Sequence, residues 1–226
     1  ELVGGKFFAE EPLSAETSRG RNLYLPIPYS KSIKITCDNM PEQGNLYYQI
    51  NYRTYNNSVE VESISADVLL EMKEKIAEVN TLLLDPESTL RGTDNRIELQ
   101  GFQRHIDSEQ MEGLFEEHRV QGPGAISYIA VRLTADDLTQ ALRNVAISIS
   151  FDGEEMVWAP VGEFFGSGVG INPYKSWYTQ VLSDGTMKSF WRMPFEKEAR
   201  ISFINYGLED VDVDYTVLYE KTPWNE

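Results

Sequence analysis

The chain lacks the features that would cross-link it or anchor it in a membrane. Its 226 residues include a single cysteine, Cys37, which excludes an intrachain disulfide and whose strand-like surroundings predict a small buried hydrophobe. No run of about 18 apolar residues occurs, so no transmembrane helix is predicted. No basic and then apolar segment follows Glu1, so no targeting signal is recognised and the localisation is left open.

Positive charge is also scarce. The sequence has 20 Lys and Arg residues against 36 Asp and Glu, a formal net charge of -16 and a pI near 4.6. Such a surface repels phosphate backbones and anionic lipid head groups, so neither nucleic acid nor a membrane is expected as a partner. The composition, 41% hydrophobic and 25% charged, is ordinary for a folded domain. The length allows one large β-domain or two smaller units.

Two hydrophobic periods divide the chain. Between Asn22 and Tyr55 apolar residues alternate with polar ones, which predicts antiparallel strands. From Ser65 onward they recur every three or four residues until Asp85-Pro86, so one amphipathic helix is predicted over roughly 66–84. Strands resume after Gly124, and Asp152-Gly153 gives the strongest hairpin signal in the chain.

The two strand-rich parts repeat one pattern. When residues 25–39 are set over residues 192–205, an aromatic residue after proline, an alternating strand and an asparagine coincide. The hairpin expected at 31–52 then corresponds to the one at 197–219, which predicts two related β-modules. Far fewer residues precede the first hairpin than the second. We therefore expect the first module to lack its opening strands and the chain to be an internal piece of a longer polypeptide.

The predicted fold is mainly β, a jelly roll or β-sandwich with two related modules, the first incomplete, and one amphipathic helix between them. Residues 1–64 are assigned to the C-terminal part of the first jelly-roll module, 65–121 to a helical and polar insert, and 122–226 to the second module. The insert holds both histidines, His105 and His118. They are predicted to lie at the surface, and no metal site or cofactor is predicted.

A glycine-rich aromatic loop carries the most unusual carboxylate, Glu163, which stands between Gly162 and Phe164. Three interpretations are open: a structural carboxylate held by the backbone N–H groups of residues 164–170, a substrate or interface contact, or a catalytic acid. Aromatic residues nearby offer faces on which sugars stack, or that pack into a core or an interface; these residues are Trp158, Trp177, Tyr178 and Trp191. The substrate-binding candidates are Glu163, Trp177 and Tyr178.

Several long strings carry a family resemblance: "FDGEE" with "VWAPVGEFFGSGVG", "RMPF", "RGRNLYLPIPYSKSIKI" and "YYQINYRTY". Over roughly 1–64 and 120–226 the chain resembles the DUF2961 family, also called glycoside hydrolase family 172. The resemblance implies cleavage of fructofuranosides or arabinofuranosides. It also implies paired jelly-roll domains, and homo-oligomers, commonly trimers or hexamers, with sites near the subunit contacts.

One departure from the family pattern limits what the resemblance implies. The family's two catalytic glutamates lie in segments resembling "WWGEGD" and "GTGSEDY", and neither string occurs here. No catalytic residue is therefore assigned. The chain is expected to be the non-catalytic central part of a retaining furanoside hydrolase, inactive alone, that provides scaffold and oligomer interface. The alternative is a carbohydrate-binding or assembly β-sandwich without catalysis. The sugar, linkage and anomer stay open.

Overall fold

The computed structural model describes residues 12–17, 20–37, 46–56, 58–90, 96–106 and 115–223. The chain divides into two compact units, Glu1–Leu84 and Asp85–Glu226. In the described residues no helix is both long and apolar enough to cross a membrane.

The first unit contains a short hairpin and a helical segment. Strands β1 (Ser14–Thr17) and β2 (Gly20–Leu23) pair antiparallel. Helices α1 (Ala66–Glu71) and α2 (Lys73–Leu84) follow one another with a break at Met72. The hydroxyl of Ser65 caps α1 by accepting a hydrogen bond from the Val68 amide (3.2 Å), as serines at the N-cap position of a helix commonly do. The helix predicted from the three-to-four-residue period is confirmed, with this one interruption.

The first predicted hairpin, at 31–52, is wrong as far as the structure describes it. Residues 31–37 and 46–56 belong to no strand, and the connecting residues 38–45 lie outside the described ones. The alternating side chains are exposed, Tyr48 to 77%. Alternation specifies a strand only where a neighbouring strand and a covering layer exist, and the described part of this unit supplies neither for these residues. For the same reason Cys37 is exposed rather than buried.

In its described residues, the second unit is a β-sandwich with two short α-helices and one 3₁₀ helix, Pro86–Leu90. The helices are α3 (Leu138–Asn144) and α4 (Val161–Phe164). The strands are β3 (Arg96–Ile106), β4 (Phe115–Gln121), β5 (Gly124–Thr134), β6 (Val145–Phe151), β7 (Glu154–Pro160), β8 (Tyr174–Lys175), β9 (Thr179–Val181), β10 (Met187–Ser189), β11 (Met193–Phe195), β12 (Glu198–Asn205) and β13 (Val211–Lys221).

Two antiparallel sheets form the layers. In the described residues the larger sheet has the order β3-β13-β5-β10-β9-β8, with β11 pairing beside β5, and the smaller has the order β4-β12-β6-β7. The inward residues of β13 alternate with half-buried ones along the whole strand. They meet the fully buried side chains of Ile147, Ile149 and Ile201 from the smaller sheet. The predicted β-sandwich is confirmed, with its core between the two sheets.

Strands β3 and β4 come from the segment predicted to be a helical and polar insert. Strand β3 pairs with β13 and β4 pairs with β12, each as the terminal strand of its sheet. A terminal strand draws its stability from backbone pairing on one side, so its sequence need not show a strong apolar alternation.

The turn between β6 and β7 confirms the hairpin predicted at Asp152-Gly153. Both residues have positive φ, 54° and 92°, as a two-residue type I′ turn requires. The Asp152 carboxylate also accepts hydrogen bonds from three successive amides, those of Glu196 (3.0 Å), Lys197 (2.6 Å) and Glu198 (2.9 Å). Burial raises the pKa of Asp152, but these amides and the Lys197 charge outweigh it and leave the pKa below 3.8. One carboxylate thus ties the hairpin to the connection between β11 and β12.

Candidate functional site

Helix α4 places Glu163 at the surface rather than in a pocket. The single helical turn follows β7 directly. Val161 at its start and Phe165 just after its end are fully buried. Gly162 faces α3 so closely that a Cβ there would lie 3.0 Å from the carbonyl oxygen of Leu142. These neighbours hold the turn against the core, whereas the side chain of Glu163 is exposed.

The glycine loop after α4 closes around an amide donor. Gly166, Gly168 and Gly170 all have positive φ, which lets the chain curl tightly. The side-chain amide of Asn172 donates to the carbonyl oxygens of Ser167 (2.8 Å) and Val169 (2.9 Å). Two of the loop's carbonyl oxygens therefore converge on this N–H donor, an arrangement that cannot hold a carboxylate.

The predicted cradle of amides around Glu163 is therefore wrong. Its carboxylate makes no hydrogen bond to any other residue among those described in 115–223, whereas Asp152, assigned from sequence to turn chemistry alone, has three amides. Spacing showed that glycines could curl the chain around a group, but it did not show which backbone atoms would face inward.

We expect Glu163→Gln to change the free energy of unfolding by less than about 0.5 kcal/mol, because the carboxylate is exposed and unpaired. Asn172→Ala should cost about 1–2 kcal/mol, because two loop carbonyl oxygens lose their donor. Urea unfolding of the two variants beside the parent chain measures both values. A larger loss in Glu163→Gln than in Asn172→Ala would restore the cradle hypothesis.

Tyr174 joins the glycine loop to the turn that carries the other two candidates. Its hydroxyl donates to the Phe165 carbonyl oxygen (2.5 Å) and lies 2.7 Å from the Thr179 hydroxyl. Ser176 then fixes the turn itself, since its hydroxyl oxygen accepts from the amides of Tyr178 (3.3 Å) and Thr179 (3.0 Å). The structure thus links the segment of Glu163 to that of Trp177 and Tyr178 through one hydroxyl.

An exposed aromatic pair stands on this turn. The rings of Tyr178 and Trp191 stack with centroids 4.4 Å apart and planes 15° apart, and the residues are 50% and 48% exposed. The Phe190 amide donates to the Tyr178 carbonyl oxygen (2.8 Å), which holds the two segments together. Trp177, the residue before Tyr178, is half-buried. Two stacked, half-exposed rings form an apolar platform at the surface.

Sequence reasoning missed Trp191 as a partner of Tyr178. The β9–β10 pairing sets Thr179 opposite Ser189, so continuing that register would set Tyr178 opposite Phe190 and Trp177 opposite Trp191. The "LSDGT" turn signal between the strands could have shown that the two segments come together, but the stack of Tyr178 on Trp191 is offset from the hairpin register by one residue and could not be obtained this way.

His118 was predicted to lie at the surface, but it is half-buried on β4. Its ring packs against Tyr215 of the opposite sheet (centroids 5.2 Å apart), and its Nε2 is hydrogen-bonded to the Tyr215 hydroxyl. Over the residues that the structure describes, no three His, Cys, Asp or Glu side chains are grouped as a metal ion would need.

Two family models match the chain. A model described as GH172 domain-like matches residues 96–217, more than half of the sequence, and one described as GH172 first beta-sandwich domain matches residues 2–71. The chain belongs to glycoside hydrolase family 172. In this GH172 chain the Tyr178–Trp191 platform therefore lies within the GH172 domain-like region.

Known proteins otherwise give little to compare. No curated protein matches this GH172 chain. A solved serine protease of Aeromonas sobria is similar at 10% identity over 64% of this chain and 29% of that one, with a TM-score of 0.23. A complex of that protease with the chaperone ORF2 gives 9% identity, 60% and 28% coverage, and a TM-score of 0.24. This chain thus spans less than a third of those chains.

Proposed function

We propose that this GH172 chain is the non-catalytic central part of a hydrolase acting on fructofuranosides or arabinofuranosides. It supplies scaffold, the interface of a homo-oligomer, a trimer or hexamer, and a carbohydrate contact. The observation that carries the proposal is the stacked, half-exposed Tyr178–Trp191 platform in a glycoside hydrolase domain whose sequence lacks both glutamate strings of the family.

Sugar recognition needs an apolar face and polar groups beside it. The C–H face of a furanose ring can stack on an exposed aromatic ring, as the outer face of Trp191 or Tyr178 allows. Glu163, exposed on the segment linked to this turn, offers a carboxylate for sugar hydroxyls, and Trp177 completes the aromatic turn. Hydrolysis with retention requires two carboxyl groups about 5 Å apart, one acid and one nucleophile, and we assign no such pair here.

A second candidate function is a carbohydrate-binding or assembly sandwich without any catalysis. It is favoured by the same missing strings, since binding needs the platform but not the glutamates. The reading frame beyond Glu226 separates the two: a glutamate pair in "WWGEGD"-like and "GTGSEDY"-like segments would establish the hydrolase, and its absence the binding module.

Binding of methyl α-D-fructofuranoside and methyl α-L-arabinofuranoside, followed by NMR titration, tests the carbohydrate contact. We expect Trp191→Ala to weaken binding by about tenfold or more, because the platform loses one of its two rings. Tyr55→Ala, which removes a similarly exposed aromatic side chain elsewhere in the chain, is the matched control and should leave this binding unchanged.

The same chain should release no aryl alcohol from aryl furanosides above background. Equal affinity of the parent chain and of Trp191→Ala for the two furanosides would show that the Tyr178–Trp191 platform is not the carbohydrate contact. Turnover that one substitution within 1–226 abolishes would show that the chain is catalytic.

A further inference from the structure

A small cavity lies between helix α3 and the turn from β12 to β13, away in sequence from the Tyr178–Trp191 platform. Its volume is about 240 Å³. That is below the range of about 300–1,000 Å³ typical for drug-sized ligands, so it suits one small ring. The lining includes Gln140, Ala141, Asn144, Leu208, Glu209 and Val211.

The walls of this cavity are fixed before any ligand arrives. Ala141 and Val211 at its base are buried in the core. The Tyr206 amide donates to the Asn144 carbonyl oxygen (2.8 Å), which joins the turn to α3. Within the turn, the Asn205 side chain accepts from the Gly207 amide (2.8 Å) and donates to the Glu209 carbonyl oxygen (2.7 Å). A preformed cavity reduces the ordering cost of binding.

Three polar side chains at the cavity remain available. The side-chain amides of Gln140 and Asn144 make no hydrogen bond to another residue in the described part of the chain, and each offers a donor and an acceptor. Glu209 accepts from the Asp137 amide through Oε2 (3.2 Å), which leaves its Oε1 as a further acceptor. A planar amide or a carboxylate has two polar atoms side by side, so each such group can form hydrogen bonds to two neighbouring hydroxyl groups of one molecule.

The turn that lines the cavity also carries an exposed aromatic residue, which contacts a second one. Tyr206, between the lining residues Asn205 and Gly207, is 61% exposed, and Trp158 beside it is 54% exposed. Their rings meet edge to face with centroids 6.0 Å apart, and the Trp158 indole N–H donates to the Tyr206 hydroxyl (3.4 Å). The cavity therefore combines an apolar base with free side-chain amides, and the Trp158 indole is linked to its lining turn through Tyr206.

We infer that this cavity is a second carbohydrate subsite, which binds a single neutral monosaccharide ring. The C–H face of such a ring fits the base formed by Ala141 and Val211, while its hydroxyls face the amides of Gln140 and Asn144. The net charge of -16 and the Glu209 carboxylate disfavour an anionic ligand. The choice of carbohydrate over another polyol rests on the proposed function; the site itself rests on the cavity.

The test is an NMR titration of the uniformly ¹⁵N-labelled chain with free D-fructose and, separately, L-arabinose. We expect dissociation constants of about 1–10 mM and shifts centred on the side-chain amides of Gln140 and Asn144 and on the Trp158 indole N–H. The double variant Gln140→Ala/Asn144→Ala should weaken this binding about tenfold or more. Gln140→Ala alone, at an exposed position, gives an intermediate loss and checks that folding is retained.

Trp191→Ala separates this site from the proposed platform. It should leave the shifts at Asn144 and Trp158 unchanged, so failure of the platform proposal would not remove this one. Unaltered affinity in the double variant, or no shift at these groups up to about 50 mM of either sugar, would overturn the inference. Shifts at the same groups on raising the protein concentration without sugar would also overturn it, since they would mean that a second copy occupies the cavity.

Discussion

Replacing Phe195 with alanine is expected to lower the free energy of unfolding of the β-sandwich by about 3–5 kcal/mol. The side chain is fully buried at the end of β11. It stacks on Phe151 of the smaller sheet with centroids 6.3 Å apart and planes 20° apart. Its removal leaves a cavity between the two sheets and takes away a contact that joins them.

Two glycines explain why this cavity would not collapse cheaply. A Cβ at Gly122 would lie 2.9 Å from the Phe195 ring and one at Gly124 3.1 Å from it. These added Cβ atoms would also lie 2.8 Å from the backbone carbonyl oxygen of Glu196 and 2.7 Å from that of Glu220, respectively. The backbones are thus already in close contact, so the paired strands hold their spacing even without the ring. The backbone therefore cannot close onto the vacated volume, which places the loss within the upper part of the range.

Phe190→Ala is the matched control. This ring is half-buried and packs on Tyr128 with centroids 5.5 Å apart, so its loss should cost only about 1–2 kcal/mol. Guanidinium unfolding followed by tryptophan fluorescence gives both values. Equal losses for the two variants would show that Phe195 does not join the sheets as described.

Asp152→Asn is expected to cost about 2 kcal/mol of unfolding free energy, since bonds to a charged acceptor are stronger than neutral ones. Asparagine tolerates the positive φ of this position, so the turn itself is kept. Its side-chain oxygen can still accept from the Lys197 and Glu198 amides. Its N–H₂ group, however, faces the Glu196 amide, donor against donor.

Asp184→Asn is the control for Asp152→Asn. Asp184 also stands in a turn before glycine, but its carboxylate accepts from a single backbone amide, that of Thr186 (3.0 Å). A loss below about 1 kcal/mol is expected there.

The pH dependence gives a second measure of the Asp152 contribution. Because the pKa of Asp152 is lower in the folded state than the ordinary 3.8, its stabilisation is fully present above that value and is lost as the pH falls through the folded pKa. The difference in unfolding free energy between the parent chain and Asp152→Asn should therefore shrink from about pH 5 towards pH 2. Glu198, whose pKa the Arg200 guanidinium lowers, titrates in both proteins. A difference that stays constant over this range would contradict the amide contacts.

What could be predicted from the sequence depended on how local the signal was. The helix at 66–84 and the Asp152-Gly153 turn follow from periods and residue types within a few positions, and both formed. The sandwich followed from apolar alternation after Gly124, because both sheets supply partners there.

Signals that depend on distant partners could not be evaluated from sequence. The alternation at 31–37 resembles a strand, yet these residues belong to no strand in the structure. The Tyr178–Trp191 pair is offset by one residue from the hairpin register, and the three amides held by Asp152 belong to residues 196–198, brought to it by the fold. Glu163 attracted attention for its glycines, although their inward carbonyl oxygens suit the Asn172 amide instead.

The order of pairing in the larger sheet has a consequence for synthesis. Strand β13 lies between β3 and β5, and Arg96 at the start of β3 pairs with Glu220 at the end of β13. While the ribosome is still translating residues before 211, β3 lacks the partner strand that the described residues give it, and the edge of β5 that later pairs with β13 is open. Both strands therefore present unpaired backbone to solvent or to chaperones. These contacts between residues far apart in the chain make folding slow, and a nascent chain arrested before β13 would be the form most prone to aggregate.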